Sequence, residues 1–472
     1  MEPEHSLRQL PTAVHGSFLK NPLTTLRHSI LGNPAKRVSI RRRVVNLSLP
    51  VLLSALFQRL VSIVDIFMVG GLGAAAIAAV GLGQFMVFLA MTVFWGLSTG
   101  TTVVIAHLWG ADRLEDARKA AFAAMLTCAV MIVAATAAGT TYGSRLALVM
   151  GAGTDVMGYA GRYITLVFLY FGFTAGLNLL SAIMHGRGDT KTPMTAILLV
   201  NILHVVIAWP LIYGKFGFPR LGVIGAAYAI NLSEAIGFFY LLFRVLRQNA
   251  VNIGRPDLEL WKRIWKVGYP VALERVAQQS GQLFYSKFIL GYGTVAYAAH
   301  QVGLSIESLS FMPGAGMGIA AATLMGQSLG ARKYRQARVG HNEAMRLALL
   351  VMGVMAAIFV IIPAPLLSLF TSDSEVIREG TVFLRLVALA QIPLALSFVY
   401  AGSLRGTGDT FYVFISTLLT MWGVRVFLAW IVADVLHLSL YAVWGVFVID
   451  WWVRAAAFAW RYHKRDLHSG VL

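Results

Sequence analysis

The 472-residue chain is 58% hydrophobic and 13% charged, with a mean hydropathy of +0.70, which excludes a water-soluble globular domain of ordinary composition. Its net charge of +18 would point to nucleic acid in a soluble protein, but here the basic residues are distributed as a membrane topology signal. The single cysteine, Cys128, lies in an apolar run; it excludes an intrachain disulfide framework and a cysteine metal cluster, and reads as a packing residue.

Residues 1–43 are polar and basic and end in Arg41-Arg42-Arg43. The first apolar run starts too late for a secretory signal peptide, and no small-residue cleavage site follows it. Glu2 and Glu4 disfavour a mitochondrial presequence. The segment reads as a disordered cytoplasmic tail in preference to a surface helix over Leu7 to Ile30.

Twelve apolar spans follow at roughly 35–40-residue intervals, the spacing of membrane helices with short loops. They fall near 44–70, 76–108, 120–140, 159–185, 192–213 and 222–246, then near 264–290, 296–329, 339–362, 380–404, 411–433 and 440–461. No alternation of the kind a barrel strand needs is present. Residues 247–263 form the one long polar interior stretch and read as a cytoplasmic linker between an N-lobe over 44–246 and a C-lobe over 264–462, with 463–472 a short tail. Outside the spans, 27 Lys and Arg residues fall on one alternating set of segments and 4 on the other, which predicts both termini in the cytoplasm.

The two halves are one unit duplicated. Leu49 to Gly73 returns in the second half as Tyr269 to Gly293, and the same shift in numbering holds well beyond that helix. Pro50 matches Pro270, Gly110-Ala111 matches Gly330-Ala331, Gly188-Asp189-Thr190 matches Gly408-Asp409-Thr410, and Val223-x-Gly225 matches Val443-x-Gly445. Six spans per copy set both copies in the same orientation. The fold expected is an all-α polytopic membrane protein with twelve transmembrane helices, in two six-helix lobes related by a pseudo-twofold axis along the membrane normal, an arrangement used by secondary transporters. Glycines within the spans (Gly81/Gly83, Gly96/Gly100, Gly314/Gly316/Gly318) read as close-packing positions, and Pro313 beside the last three marks a candidate flexible break in span 8.

Ionisable residues at membrane depth are costly, so each needs a partner, a wet cavity or a function. Asp65 in span 1 has no opposite charge one turn away and is expected to bind a proton or a cation. Glu274 opens span 7, where a functional role competes with helix capping. Glu234 lies mid-way along span 6. Asp450 and Arg454 form an i,i+4 pair in span 12. Arg425 in span 11 requires an acid on another helix, and His204 and Asn201 lie on span 5. Gln58 and Gln278 occupy repeat-related cavity positions, and Lys287 has no role beyond reaching the outer interface.

These features resemble the multidrug and toxic compound extrusion (MATE) family of cation-coupled efflux antiporters, over about residues 40–462. The resemblance rests on Val64-Asp65-Ile66-Phe67-Met68-Val69-Gly70-x-Leu72-Gly73 after Pro50, on Gly268-x-Pro270-x-x-x-Glu274, on the Gly-Asp-Thr pair, and on Gly222-Val223-x-Gly225-Ala226-Ala227. It looks most like the branch holding the DNA-damage-inducible and archaeal members. The resemblance implies coupling roles for Asp65 and Glu274. It also reveals a departure: His204 and Ala208 stand where such members carry an Asn and a second acid.

The function expected is secondary efflux of an amphipathic, cationic organic solute by alternating access across the inner or plasma membrane. Exchange is with H⁺, favoured, or with Na⁺ at Asp65 or Glu274. No cofactor, structural metal or nucleic acid is implied, and the monomer is the expected functional unit. A flippase for lipid-linked intermediates is the nearer rival. A membrane enzyme has no support, because no HExxH, G-x-S-x-G, paired Asp-rich motif or phosphate loop is present.

Overall fold

A computed structural model describes residues 34–149 and 153–467. The expectations for Leu7 to Ile30 and for the last five residues lie outside that range. In the N-lobe the helices are α1 (Pro34–Gly70), α2 (Ala74–Gly110), α3 (Leu114–Val149), α4 (Thr154–Leu169), α5 (Phe171–Arg187), α6 (Lys191–Tyr213) and α7 (Val223–Arg247). In the C-lobe they are α8 (Leu258–Leu290), α9 (Thr294–Gly330), α10 (Tyr334–Ile361), the short α11 (Pro363–Ser368), α12 (Ser374–Gly406), α13 (Thr410–Val435) and α14 (Leu440–Lys464). Among the described residues nine helices have the length and hydropathy of a membrane span, and α4 with α5, bent by 45° at Tyr170, makes a tenth. The repeat-related α1 and α8, 37 and 33 residues long, open the two lobes and complete the twelve.

The duplication is visible in where helices stop. The repeat-related Gly73 and Gly293 adopt φ 101° and 107°, which only glycine enters without steric cost. Each ends a tight turn between the first two helices of its lobe. Asp257 caps α8 through the backbone N–H groups of Glu259 and Leu260, at 2.9 and 3.1 Å, and Asp373 caps α12 in the same way through Glu375 and Val376.

Lipid tails are as apolar as leucine, so these helices associate by close packing and not by escape from water. The core splits by lobe. One cluster gathers Ile105, Leu180, Ile183 and Met184 in the N-lobe, and another gathers Tyr285, Phe383, Trp444 and Phe447 in the C-lobe. Cys128 is buried within the N-lobe cluster.

Between the lobes, glycine backbones touch. A methyl group at Gly110 would lie 2.0 Å from the carbonyl oxygen of Gln327, and one at Gly330 would lie 2.0 Å from that of His107. Gly96 likewise abuts Gly268, and Gly100 abuts Ile264. These approaches all fall in the halves of α2, α8 and α9 nearest the basic loops.

Irregular backbone occurs where the sequence gives no warning. The expected break in span 8 is not seen: α9 runs unbroken through Pro313, with Gly314 and Gly318 packed against Phe398. Instead α13 is π-helical over Leu419–Val426 and again over Ile431–Val435.

Candidate functional site

α6 shows two faces. Ile202, Val206 and Trp209 are at least half exposed and meet lipid, whereas Asn201, His204 and Ala208 turn inward and are buried. α1 packs on that inward face, and Asp65 Oδ1 lies 2.6 Å from His204 Nε2. Each is the other's partner, so Asp65 is not the unpaired acid of the sequence reading. Facing a carboxylate at that distance, Nε2 carries the ring hydrogen. His204 Nδ1 is buried without a hydrogen-bond partner among the described residues, as is Asn201 Nδ2 one turn earlier. Nδ1 is therefore the ring nitrogen left without a partner on the side away from Asp65.

Glu234 joins this group by depth. α7 runs antiparallel to α6: Gly225 packs on Leu211 and Ile212, and Gly237 packs on Val200 and Ala196. Interpolating between those contacts places Glu234 level with Asn201 and His204. Its carboxylate accepts a hydrogen bond from the Thr174 hydroxyl on α5. On α4 the Tyr163 ring is buried against Gly83. Tyr163 and Thr174 carried no sequence signal, because each is an ordinary residue of an apolar run.

In the C-lobe, Glu274 neither caps its helix nor stands free. Arg405 Nη2 donates to both its oxygens at 2.7 and 2.8 Å, and the Thr417 hydroxyl donates at 3.4 Å. Arg425 finds its acid in Asp450, at 2.6 Å. Asp450 also binds Arg454 at 2.9 and 3.0 Å, the i,i+4 pair expected. Arg454 Nε donates to the Thr420 hydroxyl at 3.0 Å. Gln278 is half-buried and Gln58 exposed. Sequence reasoning missed Arg405, which it counted as a loop residue, and Glu307, a buried acid in an apolar run of α9. The rule that singled out Asp65 would have found Glu307. Among the described residues no group of three or more His, Cys, Asp or Glu side chains converges as a metal site.

The two Gly-Asp-Thr loops differ in use. Asp189 accepts from the Lys191 and Thr192 backbone N–H groups and from the Thr192 hydroxyl, the last at 2.6 Å. Burial works against its charge, but these bonds, with one from Gln248, outweigh it and hold the carboxyl below the usual range. Asp409 instead pairs with Arg461 and Arg465, at 2.7 and 2.6 Å. On the same side of the molecule Gln327 of the C-lobe accepts from Arg43 at 2.7 Å and donates to the Gly186 carbonyl at 2.9 Å, both in the N-lobe.

The MatE family profile matches residues 50–209 and 270–431. The probable multidrug resistance protein NorM of Thermotoga maritima is 29% identical over 433 residues, covering 90% of this chain and 93% of that protein. A solved multidrug resistance MATE family transporter of the MOP superfamily, in an outward-facing conformation, superposes with TM-score 0.85 at 25% identity, over 90% of this chain and 97% of its own. A Vibrio cholerae MATE transporter shares the fold with TM-score 0.87 at 19% identity, over 92% and 99%. The two matched blocks begin at the repeat-related Pro50 and Pro270, one in each lobe, and the chain is a multi-pass membrane transporter of the MatE family.

Proposed function

We propose that the chain is a multidrug efflux antiporter that expels amphipathic, cationic organic solutes in exchange for H⁺. It sits in the inner or plasma membrane with both termini in the cytoplasm and alternates the access of a cavity between the lobes. The observation that carries the reading is the 2.6 Å contact between Asp65 and His204, with an unpartnered Nδ1 behind it. A carboxylate and an imidazole in contact can hold a proton between them and release it as their surroundings change. Na⁺ wants several hard oxygens. Ala208 offers none, and Glu274 is held by Arg405. The multidrug assignment draws on the names of relatives such as the Thermotoga maritima protein, and the orientation draws on the distribution of Lys and Arg.

The test is uptake of a labelled lipophilic cation into everted vesicles, with the proton and sodium gradients collapsed separately. Collapse of the proton gradient should stop transport and collapse of the sodium gradient should not. Asp65→Asn should abolish transport in a folded protein, and Ala208→Asp, which restores an acid beside Asp65, should introduce sodium sensitivity. Transport that follows sodium in the unmodified protein would refute proton coupling.

A further inference from the structure

The interior of the C-lobe carries more positive charge than its contacts balance. Arg425 and Arg454 share one carboxylate, Asp450, and all three side chains are less than 5% exposed. One elementary charge is left over, and a buried charge without a counter-charge is costly. Arg425 lies over the rings of Phe447, Trp451 and Tyr285, at 4.4, 5.6 and 5.7 Å, and gives one N–H to Gln282 at 3.1 Å. Those contacts soften the excess without cancelling it.

Glu274 is paired with Arg405 and the buried Glu343 with Arg346, which leaves Glu307 on α9 as the buried C-lobe acid with no ion-pair contact among the described residues. It is 5% exposed, and no side chain among the described residues donates a hydrogen bond to it. Tyr285 from α8 lies under Arg425 at 5.7 Å, with its own hydroxyl committed to the Val443 carbonyl at 2.9 Å. His300, two turns from Glu307 on α9, packs its ring edge-on to Tyr285 at 5.8 Å and leaves both nitrogens unpartnered. Gly303, one turn from Glu307, packs on Phe383 of α12, whose ring lies 6.4 Å from that of Phe447 beneath Arg425, and Gly314 packs on Met352 of α10; none of these side chains is charged. Asp450 and Arg454 come from α14.

A permanent counter-ion sits in ion-pair contact, as Glu274 does with Arg405 at 2.7 Å and as Asp450 does with both its arginines. Glu307 makes no such contact, and no hydrogen bond fixes its charged form. We propose that Glu307 is a second proton-binding residue of the transport cycle, in the C-lobe, working against Arg425. When Glu307 is ionised, the set of two guanidiniums and two carboxylates is neutral. When it takes up a proton, the set holds one net positive charge, opposite an N-lobe whose acids are Asp65 and Glu234. Proton entry then repels a cationic solute from the C-lobe, which is the direction antiport requires. That role in transport rests on the antiport reading; the titration itself does not.

The experiment needs no solute. Infrared difference spectra of the purified full-length protein in lipid, taken between acid and alkaline pH, report protonated buried carboxyl groups through their C=O stretch. A band should be lost in Glu307→Gln and kept in Asp65→Asn. Glu307→Asp, which keeps the charge, should move that band instead of removing it, so the assignment survives even if the Gln variant folds poorly. Unchanged spectra in both Glu307 variants would overturn the proposal. In everted vesicles, Glu307→Gln should roughly halve the protons moved per lipophilic cation, and an unchanged ratio would remove Glu307 from the cycle. If the Glu307 band titrates while Asp65→Asn transports normally, the N-lobe reading fails and the C-lobe one stands.

Discussion

Tyr285 stands in the C-lobe where Asp65 stands in the N-lobe, and Arg454 stands where Glu234 stands. The scaffold around them is repeated closely: α2 and α9 each run 37 residues from the repeat-related Ala74 and Thr294, and both first turns close on a glycine of positive φ. The chemistry is not repeated. The N-lobe interior holds two acids and an imidazole, with two buried polar nitrogens unpartnered. The C-lobe holds two arginines on one aspartate, a Glu274–Arg405 pair, and Glu307 outside any ion-pair contact among the described residues. Helix ends and crossings depend on a few glycines and prolines that tolerate little change, whereas an interior polar position can change its sign if its partners change with it. A duplicated transporter can therefore keep one frame and divide the charge between its halves.

The largest effect should come from breaking the C-lobe set. Asp450→Asn leaves two buried guanidiniums without a carboxylate in contact and should cost about 3–5 kcal/mol, seen as loss of folded protein on extraction. Ile230, its counterpart in the N-lobe, should accept Val with little effect on yield. Next, Asp65→Asn should reduce proton-driven efflux to the level of empty vesicles with folded yield unchanged. Tyr285→Phe, at the repeat-related position, should retain most transport; equal losses at both would mean that the lobes work alike. Smaller again, Glu274→Gln strips the counter-charge from Arg405 and should cost about 2 kcal/mol, with partial loss of efflux and a lower melting temperature in detergent.

The smallest effect belongs to the loops. Asp189→Asn weakens the cap on α6 and should cost about 1 kcal/mol or less. The folded-state carboxyl is held below its ordinary range, so its stabilisation is present above that range and lost as pH falls through the folded value. Melting curves at descending pH should show an acid-dependent loss in the unmodified protein that Asp189→Asn lacks. At Asp409, where Arg461 and Arg465 supply the bonds, added salt should lower stability more than it does at Asp189.

The frame was legible because its signals are local or periodic: apolar length, Lys and Arg counts, and one constant offset between the two halves. The Asp450–Arg454 pair follows from helical spacing alone. The contact of Asp65 with His204 depends on α1 packing against α6, which spacing along a single helix does not reveal. Arg405 escaped because a residue at a helix end reads as part of a loop until the neighbouring helix is placed against it. Proline misled at Pro313, where dense packing by Phe398 keeps the helix continuous despite the missing N–H. The π-helical stretches of α13 contain neither a proline nor a glycine pair, so nothing in their composition announced them.

The crossing of α2 and α9 has a consequence for how the protein responds to its surroundings. Gly110 and Gly330 meet backbone carbonyls of the opposite lobe directly, and the neighbouring seam at Gly96 and Gly268 is backbone as well. Apart from Arg43, which bonds Gln327 at 2.7 Å, these contacts are peptide groups and Cα atoms with no net charge to screen. Ionic strength and the headgroup charge of the bilayer therefore have little purchase on these glycine contacts. The buried charges inside the two lobes are likewise shielded from salt in the surrounding water.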